Sequence, residues 1–205
     1  MFNMHKKIIG LSFILMSNFT FAVNDQPDTT ARAVVEKFQA ELLDTMKNGK
    51  SLDFQARYQK LSKPVIESHD LTKIVRIVIG KDWKSLTDEQ KQALVKEFAK
   101  LSIASYAHNF KGYSGEAFSV DSDEKTQRGG VIVHTILTIP DEKEVKLDYQ
   151  MKKKGEDWRI INIIANGVSD LALKRSEYTS ILKREGFDAL LAKISGKIEQ
   201  YSSQN

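Results

Sequence analysis

The chain has 205 residues, 41% of them apolar, no cysteine and a formal net charge of +4. That length supports one domain with a substantial core, and the missing cysteine excludes a disulfide framework. The charge is nearly balanced, which argues against the concentrated basic surface of a nucleic-acid reader.

The opening "MFNMHKKIIGLSFILMSNFTFA" has the three parts of a secretory leader. His5, Lys6 and Lys7 form the basic start, an apolar stretch follows, and Thr20-Phe21-Ala22 places a small residue before the cut. The apolar stretch is interrupted by Ser12, Ser17, Asn18 and Thr20, and it falls short of the roughly 20 residues a membrane span needs. The expectation is a signal peptide over residues 1–22, cleaved after Ala22, and a single domain over residues 23–205. Losing Lys6 and Lys7 leaves 29 basic against 27 acidic side chains, taking the net charge from +4 to +2. The run Lys152 to Lys154 then reads as a solvated hairpin turn.

After a polar lead-in, Ala31, Val34, Val35, Phe38, Leu42 and Met46 recur at helical spacing, and Asn48-Gly49 ends the pattern. A second helix is expected over 52–67, broken or kinked by Pro64. "DLTKIVRIVIG" predicts a brief apolar helix closed by Gly80. Thr87 and Gln90 form a capping box for a long helix running to about Asn109. Its expected inward stripe is Leu94, Val95, Phe98, Leu101, Ser102, Ser105 and Tyr106, which turns polar toward the end.

From residue 116 the period falls to two, predicting strands over 116–121, 130–139, 144–152 and 157–165. The short turns between them require antiparallel neighbours, because parallel ones need long crossovers. In "VKLDYQM" the side chains of Val145, Leu147, Tyr149 and Met151 share one face, against Lys146, Asp148 and Gln150. "VIVHTILTI" is different, because both of its faces are largely apolar. Helical spacing returns around 171–185 and, after Gly186, through Phe187, Leu190, Leu191, Ile194, Ile198 and Tyr201. The fold class is therefore α+β, a four-stranded antiparallel meander with helices from both ends of the chain over it.

Motifs for chemistry are sparse. His5, His69, His108 and His134 stand far apart, and none has a ligand spacing with another metal-binding side chain. "GYSGE" precedes a strand, whereas a nucleophile elbow needs a strand, a sharp turn and then a helix. Gly80-Lys81 lacks the upstream glycine of a phosphate loop. One enzymatic reading remains, a cavity enzyme in which His134 or Asp148 acts as a base. A pocket with a convergent polar pair would favour it; one lined by carbon would not.

The stretch "GKDWKSLTDEQKQALVKEFAKLSIASYAHNFKGYSGEAF" resembles the MlaC-like, or toluene-tolerance auxiliary, family of periplasmic phospholipid-binding proteins of the Mla transport system. Gly80, Trp83-Lys84, the Gln90 capping box, Phe98, Tyr106 and the Tyr113 to Gly115 turn carry the resemblance. A second block has Trp158, Gly167-Val168-Ser169, Tyr178, and Gly186 followed by Phe187 and Asp188. The chain departs from the family pattern at Asn166 and Asp170.

The resemblance implies an NTF2-like arrangement enclosing a lipid-sized apolar cavity, and a periplasmic carrier rather than an enzyme. Its implied partners are phospholipid, an inner-membrane ABC transporter complex and an outer-membrane lipoprotein complex, and its implied role is maintaining outer-membrane lipid asymmetry. A monomer with transient membrane-proximal contact and no cofactor is expected. The expected tail contacts are Phe98, Leu101 and Tyr106 from the long helix, Val131, Val133 and Leu137, then Val145, Leu147 and Tyr149, then Ile160, Ile164 and Val168. One face of "VIVHTILTI" would then pack on protein and the other on acyl chains. The alternatives are the cavity enzyme and a periplasmic adaptor whose interior is ordinary core.

Overall fold

The computed structural model describes residues 30–204. The expected leader and its cut after Ala22 lie outside the described residues. Three helices lead the described residues, each begun by a side-chain cap. Helix α1 (Ala31–Lys47) starts where the Thr30 hydroxyl accepts from the Ala33 amide at 3.1 Å. Helix α2 (Phe54–Ser68) starts at Asp53, and α3 (Leu71–Ile79) at Asp70. Such caps satisfy amides that have no partner in the first turn.

Helix α2 runs on through Pro64 rather than ending there. Leu61 and Val65 on either side of it, with Ser68 a turn later, are all buried. Their packing offsets the missing backbone bond, and Pro64 itself is only half-buried. Gly80 closes α3 with φ +64, a conformation that strains any residue with a side chain, and a short 3-10 turn (Gly80–Ser85) follows.

Helix α4 (Asp88–Asn109) begins with the expected capping box, Thr87 to Gln90. It buries more than a single stripe. Leu94, Phe98 and Leu101 pack with α3 and the C-terminal helices, Ile103 packs toward the sheet, and Ala104 and Ala107 pack beside Phe54. The helix is wedged between packed layers, so its apolar residues face several ways.

The sheet comprises β1 (Ala117–Lys125), β2 (Val131–Thr138), β3 (Val145–Lys154), β4 (Asp157–Ala165) and β5 (Val168–Ser169), antiparallel and in chain order. Three details differ from the sequence reading. Strand β1 extends through the polar residues 122–125, past a register shift after Val120, because an exposed edge strand needs no apolar alternation. The lysines Lys152 to Lys154 end β3 rather than forming the turn. A fifth, two-residue strand follows Asn166-Gly167, both with positive φ. That dipeptide is a two-residue hairpin turn whose backbone twist suits antiparallel strands.

Val133, Thr135, Tyr149, Met151 and Ile160 are buried on one sheet face. All but Thr135 join the core cluster that includes Val35, Phe38 and Leu42 of α1 and Leu61 and Val65 of α2. Buried Thr135 is held by Gln39 of α1, whose amide donates to its hydroxyl at 3.0 Å. The other face carries Ile132, His134, Ile136, Asp148 and Ile164, all half-exposed. The three isoleucines join none of the packed clusters. Helices α5 (Asp170–Glu185) and α6 (Phe187–Ser203) form a hairpin about Gly186 and build a second core with α3 and α4.

Candidate functional site

Strand β4 is nearly an edge, since β5 covers only Ile164 and Ala165. Beside it, α3, α4, α5 and α6 leave a cavity of about 600 Å³. Its buried lining is carbon-rich, with Leu71, Ile74, Phe98, Leu101, Ile160 and Tyr178 all below one-tenth exposed. Ile161, Ile163, Ala165 and Leu171 extend that wall. The Phe98 and Tyr178 rings meet edge to face at 6.4 Å, fixing α4 against α5.

Helix α4 contributes Phe98, Leu101, Ser102, Ser105, Tyr106 and Asn109, a single stripe at helical spacing. Its polar end is the part that reaches the cavity's more open side. The Ser102 hydroxyl donates to the Phe98 carbonyl at 2.9 Å, and Asn109 donates to the Ser105 hydroxyl at 3.3 Å. Across from them the exposed lining is Leu173 and Glu177 of α5 and Lys193 and Gln200 of α6, with Lys174, Lys197 and Tyr201 half-buried.

One polar pair does converge on the apolar wall. His69 Nε2 lies 3.1 Å from the Tyr106 hydroxyl, and both residues line the cavity. His69 Nδ1 lies 2.8 Å from the Ser68 hydroxyl, which spends its own proton on the Pro64 carbonyl at 2.6 Å, and 3.1 Å from the Val65 carbonyl, so Nδ1 carries the proton and Nε2 accepts from Tyr106. Burial lowers the His69 pKa to about 4, against weaker opposing help from the Val65 carbonyl and Asp170. Burial likewise pushes the Tyr106 phenol well above its ordinary value. Phe38 packs edge-on against both rings, at 5.0 Å from His69 and 5.1 Å from Tyr106. The basic nitrogen is thus occupied by a phenol that does not ionise, so the pair is suited to joining α2, α4 and the sheet rather than to abstracting a proton.

The other candidate base lies elsewhere. His134 Nδ1 sits 2.7 Å from Asp148 Oδ1 on the half-exposed sheet face, and neither residue lines the cavity. Among the described residues no cluster of three or more histidines and carboxylates could hold a metal ion.

Of the expected tail contacts, the structure brings Phe98, Leu101, Tyr106 and Ile160 together in the cavity wall. Val131, Val133, Leu147 and Tyr149 lie instead in the core with α1 and α2. Leu137 and Val145 are half-buried at the far end of the β2–β3 ladder, Ile164 is on the half-exposed face, and Val168 is 54% exposed. The reason is positional: α1 closes over the faces of β2 and β3, and the cavity lies where α3 to α6 diverge beside β4. The sequence reading missed His69, Leu71, Ile74, Ile161, Ile163 and Tyr178, and the α5 and α6 residues at the opening. The β4 run "RIINIIA" was the available signal, being apolar on both faces with a register shift at Ile161.

The MlaC protein family model matches residues 36–196. The chain belongs to that family. Among curated MlaC relatives, the intermembrane phospholipid transport system binding protein MlaC of Haemophilus influenzae is 23% identical over 186 residues, covering 83% of this chain and 87% of the relative. Toluene tolerance protein ttg2D of Pseudomonas putida is 24% identical over 165 residues, covering 78% and 76%. The structure of the phospholipid-binding protein from Ralstonia solanacearum, solved in complex with a phospholipid, superposes with a TM-score of 0.73 at 20% identity. The match covers 84% of this chain and 98% of that one, so this MlaC chain shares its fold.

Proposed function

We propose that this chain is a phospholipid carrier that holds acyl tails in the cavity between β4 and helices α3 to α6. The observation that carries the reading is the cavity itself. Protein interiors pack like organic crystals, with few voids larger than a water molecule. A space of about 600 Å³ behind a buried carbon lining therefore supports a binding site over an imperfection of the core. This weighs against the adaptor with an ordinary interior. The names of the Haemophilus and Ralstonia relatives, both tied to phospholipid, support the same cargo.

Phe98, Leu101, Ile160 and the rings of Tyr106 and Tyr178 would meet the tails. Burying a methylene stabilises by about 0.8 kcal/mol, so a sixteen-carbon chain contributes on the order of 12 kcal/mol over its exposure to water. A bilayer offers the tails nearly the same, which lets loading and unloading stay close to balance. Direction then comes from partners: an inner-membrane ABC transporter complex on one side and an outer-membrane lipoprotein complex on the other, in service of outer-membrane lipid asymmetry. The setting is the periplasm, reached by export and cleavage after Ala22. Among the described residues, no helix is long and apolar enough to cross a membrane.

The test is organic extraction of the purified mature protein followed by mass spectrometry. Stoichiometric phospholipid is the expected result. A protein that carries none, and takes none from phospholipid vesicles, would end the carrier reading.

A further inference from the structure

The opening of the cavity holds an uneven set of charges. Three lysines line it, Lys174, Lys193 and Lys197, against two carboxylates, Asp170 and Glu177. Lys174 pairs with Asp170, four residues earlier on the same helix. Lys193 lies 3.8 Å from Glu177 across the α5–α6 hairpin. Among the described residues no carboxylate lies within ion-pair distance of Lys197.

Lys197 is nonetheless held in place. Its ammonium donates to Gln200 Oε1 at 3.0 Å and sits 4.9 Å from the centroid of the Tyr201 ring. The residue is half-buried, and its head sits over an aromatic plane with no anion beside it. Helix α4 lies alongside: Ser195 of α6 donates to Glu97 at 3.1 Å, and His108 stacks on Tyr201 at 4.8 Å. In that stretch the Ser105 hydroxyl already accepts from Asn109, so its own proton is left to donate.

We propose that Lys197, with Ser105 of the same cavity lining, forms a seat for the phosphodiester of the cargo, so that the carrier reads the charged end of the lipid as well as its tails. The inference rests on the carrier reading above. One uncompensated cation matches one monoanionic phosphodiester, the group common to zwitterionic and anionic glycerophospholipids. It does not match diacylglycerol, which has the same tails and no phosphate. Loading a phospholipid completes the charge balance at the opening, whereas loading a neutral diacyl lipid leaves Lys197 as it was.

The test offers the purified mature protein vesicles of phosphatidylcholine containing equal small fractions of phosphatidylglycerol and diacylglycerol with matched tails. The protein is re-isolated and its lipid measured by mass spectrometry. The wild type should take both phospholipids ahead of diacylglycerol. Lys197→Gln should lose about three- to tenfold in phospholipid uptake, the range of a partly exposed charge-assisted contact, with diacylglycerol uptake and melting temperature unchanged. Lys183→Gln, on the exposed side of α5 away from the cavity, should behave as wild type. Excess inorganic phosphate should leave uptake unaltered, because without tails the seat is weak.

An equal loss of all three lipids in Lys197→Gln, or an unchanged preference for phospholipid, would overturn the seat while leaving the carrier standing. Full competition by inorganic phosphate would make this a free-anion site and overturn the head-group assignment. A wild-type protein that takes up no lipid of any kind would remove the carrier reading and the seat together.

Discussion

Acid should loosen the joint between α2, α4 and β4 through His69. This residue follows α2, forms a bridge to Ile160, and is 7% exposed. Its folded pKa of about 4 stands against an ordinary value of 6.5, with burial as the main cause. The folded state therefore holds the imidazole neutral while the unfolded chain binds a proton more readily. Stability is complete above about pH 6.5 and is lost as pH falls through the window from about 6.5 to about 4. At about pH 5 the unfolded state gains roughly 2 kcal/mol from protonation, and below the folded pKa the loss approaches about 3 kcal/mol. Urea denaturation of the wild type and of His69→Gln, at about pH 7 and about pH 5, isolates this contribution from that of the carboxylates. The wild type should lose about 2 kcal/mol more than the variant over that interval. Parallel losses in the two proteins would refute the assignment of a neutral, buried His69.

Two further outcomes follow from the packing. Leu147 is half-buried in the core with α1 and lies outside the cavity wall, so Leu147→Asp should destabilise the domain by about 2–4 kcal/mol in urea melts, with little change for exposed Lys146→Glu. Any folded Leu147→Asp protein should still retain lipid, and its selective loss would return Leu147 to the tail contacts. Gly196 sits inside α6 with open space where a side chain would go, so Gly196→Ala should raise stability by about 0.5–1 kcal/mol. A lower melting temperature for Gly196→Ala would show that α6 needs flexibility or close approach at that point.

Local signals in the chain were sufficient for most elements. Thr87 and Gln90 marked the start of α4, Gly80 and Gly186 marked helix ends, and the short turns between period-two stretches supplied the antiparallel order. Asn166-Gly167 carries a hairpin-turn signal that the sequence reading did not use, because β5 is too short to show a period. Pro64 was a true local conflict that tertiary packing overrode. The cavity was less accessible. Phe98, Leu101, Tyr106 and Ile160 could be drawn from stripes and alternation, yet the same alternation also selected Val133, Leu147 and Tyr149, which α1 covers.

By itself the sequence determined the α+β class, the meander, the caps and the family, because each depends on residues close together in the chain or on their order. Which apolar face meets protein and which meets empty space was decided by the tertiary structure alone. Periodicity states that a face avoids water, and a leucine under a helix satisfies that requirement as fully as one facing an acyl tail. Only the placement of α1 against the sheet, and of α3 to α6 apart from β4, separates the two. The same placement brings Lys197, Ser105 and Glu177 from three helices to one opening.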